Sequence, residues 1–156
     1  MDMENKNSNG KRAKDKRASY QVTDEEIREF AEKRNKLANK LNGYIIKYEV
    51  ENDCSRYKAA EYVSEQCQQS WDSFKKIFQK KARITRELLY KFCIGMHLTM
   101  EEAEELFALS EGGPLSGSDS DHIFINAVRD GDDIFTFIED YEKCTGKKIS
   151  MRERKM

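Results

Sequence analysis

The chain has little of what a β-rich fold requires: it contains one proline and eight glycines among 156 residues. A β-sandwich needs turn residues about every 8–12 positions, more than these totals can supply. Apolar residues make up 38% of the chain, and they recur at spacings of three and four, as on one face of a helix. We therefore predict an all-α fold, a compact multi-helix domain.

Long apolar runs are also missing. No segment approaches the roughly 20 consecutive apolar residues of a transmembrane helix, and residues 1–17 carry no apolar stretch typical of a secretory signal. The four cysteines, Cys54, Cys67, Cys93 and Cys144, are widely separated. We expect a cytoplasmic protein with reduced thiols and no membrane partner, in which Cys54 and Cys93 are small core residues.

Signatures of catalysis and of metal binding are scarce. Cys93 and His97 are separated by four positions, a metal-ligand spacing on a helix, but no Cys-x-x-Cys pair accompanies them. Gly112-Gly113 is not followed by the Gly-Lys-Ser/Thr of a phosphate-binding loop. The aspartates between positions 119 and 133 lack the ligand order of an EF-hand. We predict no enzyme, no catalytic residues, no metal site and no cofactor.

Charge is distributed unevenly, although the net charge is only −1. Residues 1–20 carry six basic and three acidic side chains, a net of +3, and residues 65–91 carry seven and three, a net of +4. Residues 99–143 carry thirteen acidic and two basic side chains, a net of −11. Such segregation favours a nucleic-acid or polyanion face on one part of the molecule. A solvated basic surface is the alternative.

Helix-start signals divide the chain. Residues 23–26 (Thr-Asp-Glu-Glu) and 99–102 (Thr-Met-Glu-Glu) have the form of capping boxes, and Ser55 and Thr85 are suitable N-caps. Asn42-Gly43 is a candidate break in the first helix. We expect the helix that starts at Thr85 to end near Gly95, and a loop at residues 111–118.

The segment from Ser55 to Phe107 contains the most informative pattern. It reads as a short helix, a polar turn, a second helix from about Gln68 to Lys80, a basic linker and two further helices. In the second helix the apolar residues fall on one face. These residues are Trp71, Phe74, Ile77 and Phe78.

This segment resembles the phage Cro/repressor-type (XRE-like) helix-turn-helix family over the central third of the chain. Gln68-Gln69-Ser70 followed by Trp71 looks like the start of a recognition helix, and Ala59, Ala60 and Val63 look like the apolar side of the helix before it. Residues 93–102 are similar to the string that joins the family's last two helices.

The resemblance implies a DNA-binding transcriptional regulator, repressor-like in type, that reads the major groove of double-stranded DNA. Glutamine can pair bidentately with adenine, so Gln68 and Gln69 are predicted to contact bases. The basic residues are predicted to contact phosphates, which positions the protein without specifying a sequence. The full set of predicted DNA-binding residues is Gln68, Gln69, Ser70, Ser73, Lys75, Lys76, Lys80, Lys81 and Arg83.

We predict four regions: a disordered basic tail at 1–20, a helix-turn-helix domain at 21–110, an acidic pair of helices at 111–145, and a flexible basic tail at 146–156. Asp119 and Asp121 are expected to cap the helix that carries Ile123. The basic arm from Lys11 to Arg17 could add minor-groove contacts, and a homodimer would suit a palindromic site.

A second hypothesis is a non-catalytic interaction module, adaptor-like or antitoxin-like, on the same fold. This hypothesis is based on the strongly acidic segment from Thr99 to Lys143, which DNA would repel and a basic protein partner would attract. Phe135 and Phe137 are candidate anchors for such a partner, and core positions are the alternative for both.

Overall fold

The computed structural model describes residues 23–79 and 83–149. Within these ranges the chain forms seven α-helices and no strand, which confirms the all-α prediction. None of these helices combines the length and the apolar character needed to cross a bilayer. The helices are α1 (Asp24–Asn52), α2 (Arg56–Gln66), α3 (Trp71–Phe78), α4 (Arg86–Gly95), α5 (Met100–Ala108), α6 (Asp119–Asp130) and α7 (Ile134–Thr145).

The chain divides into two compact units between Glu32 and Lys33. The described part of the first unit is the start of α1, where the predicted capping box is formed. The Thr23 hydroxyl accepts from the Glu26 N–H at 3.1 Å, and the Thr23 N–H donates to the Glu26 carboxylate at 3.1 Å. Two large apolar side chains of this unit, Ile27 and Phe30, are exposed. The helices α2 to α7 lie in the second unit.

The helix α1 runs for 29 residues without interruption, so the predicted break at Asn42-Gly43 is wrong. Leu41 and Ile45, on either side of the glycine, are each 1% exposed. Burying two such side chains contributes about 3–6 kcal/mol, which exceeds the roughly 1 kcal/mol penalty of a helical glycine. Packing therefore decides the conformation here.

Three further helix starts agree with the sequence. The Ser55 hydroxyl accepts from the Lys58 N–H at 3.2 Å and the Thr85 hydroxyl from the Leu88 N–H at 3.1 Å. Thr99 forms the predicted capping box of α5. The helix α4 ends at Gly95, as expected, and no described residue between α5 and α6 is helical.

The helix α4 is the centre of the core, since every residue from Leu88 to Gly95 is buried. It contacts α2, α5, α6 and α7. The Tyr90 ring lies 5.5 Å from that of Phe107 and 5.1 Å from that of Phe124, centroid to centroid. The acidic C-terminal pair α6–α7 thus packs on the same helix as α2. Cys93 is buried, as predicted, and Cys54 is half-buried against the core.

Neither Asp119 nor Asp121 is the N-cap of α6, so that prediction is wrong for both residues. The N-cap of α6 is Ser118, whose hydroxyl accepts from the Asp121 N–H at 3.2 Å. The Asp121 carboxylate is fully buried and accepts two hydrogen bonds from Arg86, at 2.9 and 2.6 Å, and one from the Tyr90 hydroxyl. Serine is an equally favoured cap, which leaves the aspartate to neutralise the arginine.

This network fixes the charge of Asp121. Burial opposes ionisation of the carboxyl, but hydrogen bonds from Arg86, Tyr90 and the Ser116 backbone outweigh it and hold its pKa well below the ordinary range. The pKa of Tyr90 is raised, first by burial and then by its hydrogen bond to the same carboxylate. The network ties the start of α4 to the start of α6.

Candidate nucleic-acid interface

The helices α2 and α3 are joined by four residues, Cys67 to Ser70. Cys67 is buried, with its N–H donating to the Val63 carbonyl at 3.0 Å. The chain then reverses, and the Gln69 N–H reaches back to the Ser64 carbonyl at 2.9 Å. The length of this turn matches the connection between the two helices of a helix-turn-helix.

Gln68 lies in the turn and not on the second helix. Its φ is +54°, in the left-handed region that glycine adopts most easily. Its side-chain amide donates to the Glu65 carbonyl at 3.1 Å, which supports this conformation. The interpretation of a helix beginning at about Gln68 is therefore wrong by three residues.

Ser70 sets the true start of α3. Its hydroxyl accepts from the Ser73 N–H at 3.2 Å, which makes it the N-cap and Trp71 the first helical residue. Serine is among the preferred N-cap residues, so the signal for this start was present in the sequence. At the other end α3 stops at Phe78, and the predicted end, Lys80, lies outside the described residues.

The helix α3 has one buried side and one exposed side. Phe74 and Ile77 are 1% and 4% exposed. Ser73, Lys75 and Lys76 are exposed, as the predicted DNA-contacting face requires. The eight residues of α3 therefore present hydroxyl and ammonium groups to solvent on a short, well-anchored helix.

Lys91 holds the turn through a hydrogen bond from the core. It is a residue of α4, 1% exposed, and its ammonium donates to the Gln68 carbonyl at 3.3 Å. Burial lowers the pKa of Lys91 to about 8, against smaller opposing effects of Cys67 and Glu87. This hydrogen bond ties the turn between α2 and α3 to α4.

Gly95 provides the second tie between α4 and the turn. A Cβ built on Gly95 would lie 2.3 Å from the Gln66 carbonyl oxygen and 2.7 Å from its carbon. These atoms belong to the backbone at the end of α2, so the clash could not be relieved by moving a side chain. Only glycine allows α4 to approach the turn this closely.

Four of the predicted DNA-binding residues, Gln69, Ser73, Lys76 and Arg83, line one cavity of about 430 Å³. Arg83 is exposed and lies 3.4 Å from the Glu111 carboxylate. Three other predicted residues, Gln68, Ser70 and Lys75, are placed nearby in sequence but do not line the cavity. Lys80 and Lys81 lie outside the described residues.

The roles of Lys91 and Gly95 are not among the sequence predictions. Lys91 belongs to the basic segment 65–91, but its position between Tyr90 and Phe92 in an apolar run indicates burial. Gly95 was expected only to end a helix, and nothing local reveals its contact with Gln66. Cys93 and His97 do not share a helix face, although their four-residue spacing would allow it. His97 lies beyond the end of α4, with φ +55°.

Among residues 23–79 and 83–149, no three His, Cys, Asp or Glu side chains come together in a way that could hold a metal ion. No protein-family model, no curated protein and no solved structure matches the chain. The interpretation of this surface therefore depends on its own geometry and charge.

Proposed function

We propose that the protein is a DNA-binding transcriptional regulator that inserts α3 into the major groove. The observation that carries the proposal is the combination of a four-residue turn between α2 and α3 with an exposed polar and basic face on α3. A recognition helix needs a buried apolar side that anchors it and an exposed side that can reach base edges. Phe74 and Ile77 supply the first, and Ser73 and Lys76 supply the second.

The roles on this surface divide by chemistry. Lys75, Lys76 and Arg83 would contact phosphates, which gives affinity without sequence preference. Gln68 and Gln69, in the turn before α3, would contact bases through their amides. A duplex-selection experiment with the Gln68→Ala, Gln69→Ala double variant checks the second assignment: site preference should disappear, and a preference equal to that of the wild type would contradict it.

Removing an acidic or a basic side chain from α3 should change the affinity for a DNA duplex in opposite directions. Asp72 is exposed in the first turn of α3, close in sequence to Lys75 and Lys76. Asp72→Asn should tighten duplex binding, because it removes repulsion of the phosphates. Lys75→Gln with Lys76→Gln should weaken binding and lower the salt slope by about 2, one for each lost phosphate contact.

The matched control removes two positive charges elsewhere. Arg129 and Lys143 are exposed on α6 and α7, in the acidic part of the chain. The Arg129→Gln, Lys143→Gln variant has the same net charge as the Lys75, Lys76 variant. If both variants weaken duplex binding equally, only the overall charge matters and α3 is not the contact surface.

The alternative function is an interaction module that binds a basic protein partner through the acidic C-terminal helices. The observation that favours it is a cluster of aspartates where α6 meets α7. The pKa of Asp132 is raised, by desolvation and then by repulsion from Asp130, Asp140 and Asp133. A lysine-rich peptide that binds the wild type and not an Asp130→Asn, Asp140→Asn variant, with no duplex binding by either protein, would favour this function over DNA binding.

The two candidate anchors, Phe135 and Phe137, differ in exposure. Phe137 is fully buried and belongs to the core, whereas Phe135 is 43% exposed. Of the two candidate anchors for a partner, Phe135 is therefore the one that remains part of this alternative.

A further inference from the structure

The cavity beside α3 carries an excess of positive charge. Of the described residues that line it, four are cationic, Lys76, Arg83, Lys91 and Lys148, and one is anionic, Glu87. They come from α3, from the segment before α4, from α4 itself and from the segment after α7. Cations that converge on one concave site from several elements raise the local concentration of anions.

Two of these cations form weak ion pairs, in both of which the cation is exposed. Arg83 lies 3.4 Å from Glu111, with the two side chains 70% and 43% exposed. Lys148 lies 3.8 Å from Glu142 and is 91% exposed. Ion pairs of this kind contribute about 0–1 kcal/mol, so an anion in the cavity can replace the carboxylates at little cost.

The buried cation strengthens the site. Lys91 is 1% exposed and lines the cavity from α4. A charge shielded from water interacts more strongly with a nearby anion than an exposed charge does. The pKa of Lys91, lowered to about 8 by burial, still leaves the ammonium mostly protonated at pH 7, and a bound anion would stabilise that form.

The remaining lining indicates an organic ligand. Ile77, Leu88 and Ile149 give the cavity an apolar part. Ile149 is buried, and its N–H donates to the Glu142 carboxylate at 2.9 Å, which holds this part of the wall in place. A volume of about 430 Å³ lies within the range of small-molecule sites and is much larger than one phosphate ion.

We propose that this cavity binds a small phosphomonoester, with its phosphate among Lys76, Arg83, Lys91 and Lys148 and its organic part against Ile77, Leu88 and Ile149. The ligand proposed for this cavity differs from DNA, although four residues belong to both surfaces: Gln69, Ser73, Lys76 and Arg83. The proposal does not depend on DNA binding.

Calorimetric titration of the full chain at pH 7 and low salt, without DNA, tests the proposal. The probes are phenyl phosphate, inorganic phosphate and dimethyl phosphate. Phenyl phosphate should bind saturably and more tightly than inorganic phosphate, because its ring reaches the apolar wall. Arg83→Gln and Lys148→Gln, both at exposed positions, should each weaken it about tenfold, the loss of one charge-assisted hydrogen bond.

Lys91→Met should abolish phenyl phosphate binding, and Lys143→Gln on α7 is the control that should leave it unchanged. Absence of saturable binding, or equal affinity in wild type, Arg83→Gln and Lys148→Gln, would overturn the proposal. Dimethyl phosphate mimics the diester of a DNA backbone. If it binds as tightly as phenyl phosphate, the cavity receives backbone phosphates and the phosphomonoester assignment is wrong.

Discussion

Gly95 and Gln66 touch through their backbones: a Cβ on Gly95 would lie 2.3 Å from the Gln66 carbonyl oxygen. This contact joins the end of α4 to the end of α2, immediately before the turn that leads to α3. The position of α3 therefore depends on a residue that contributes no side chain.

Gly95→Ala should destabilise the fold by about 1–3 kcal/mol, the usual effect of overpacking, even though alanine is intrinsically the better helix former. Urea denaturation measures this change. Gly43→Ala is the matched control, since Gly43 is helical in α1 and a Cβ there meets nothing within 4 Å. That control should stabilise the protein by about 1 kcal/mol. Equal effects of the two substitutions would contradict the close approach.

Gln68→Gly should leave the fold intact and stabilise it by up to about 1 kcal/mol. The left-handed φ of +54° disfavours any side chain, and glycine removes that strain. Loss of the hydrogen bond to the Glu65 carbonyl offsets part of the gain. Gly131→Ala, at φ +70° after α6, should have the opposite sign. A strongly destabilised Gln68→Gly protein would show that the turn depends on the glutamine side chain.

Asp121→Asn should destabilise the protein by about 3 kcal/mol at pH 7, because it leaves Arg86 with a neutral partner in a buried site. The pKa of Asp121 lies below its ordinary value, so its stabilising effect is present above about pH 4 and is lost as the pH falls below that. Stability curves of wild type and variant should therefore converge in acid. Asp119→Asn, exposed in the same first turn, should change stability by less than about 1 kcal/mol. Parallel curves down to pH 2 would contradict this account of the network.

Lys91→Met isolates the titration of the buried lysine. The folded pKa of about 8 lies below the unfolded value of 10.5, so the unfolded chain binds more protons between these two pH values. The stability of the wild type relative to Lys91→Met should therefore rise as the pH increases from about 8 to 10.5. Below pH 8 the difference should be constant. Comparison with the variant cancels the ionisation of Cys93, whose pKa does not depend on Lys91. A difference that is flat across this window would show that Lys91 is not desolvated.

The helix starts could be predicted because their signals are local. The capping boxes at Thr23 and Thr99 and the caps at Ser55 and Thr85 lie within four residues of the groups that they bind. The predicted break at Asn42-Gly43 failed because Leu41 and Ile45 are buried in the core, and packing outweighs the preference of one glycine.

Of the candidate nucleic-acid interface, only the exposed face of α3 could be predicted. The periodicity of Phe74 and Ile77 places Ser73 and Lys76 on the outer face of α3. The start of α3 was misplaced, since two glutamines and a serine are all compatible with a first turn, and only the chain reversal at Gln68 selects the serine as the cap.

The parts that hold the site could not be predicted, because they are contacts between distant residues. Arg86 and Asp121 are 35 positions apart, and Lys91 and Gln68 are 23 apart. No periodicity or cap encodes such pairs. The predicted tail, linker and oligomer assignments, and the roles of Gln68 and Gln69, remain predictions.

Fluorescence anisotropy with a mixed-sequence duplex at several salt concentrations is the decisive test of the proposal that α3 binds double-stranded DNA. We expect binding at low salt with a log–log slope steeper than about −3, because several phosphates are neutralised. The Lys75→Gln, Lys76→Gln variant should have a slope shallower by about 2. Absence of binding at low salt, or a wild-type slope that the α3 substitutions leave unchanged, would contradict it.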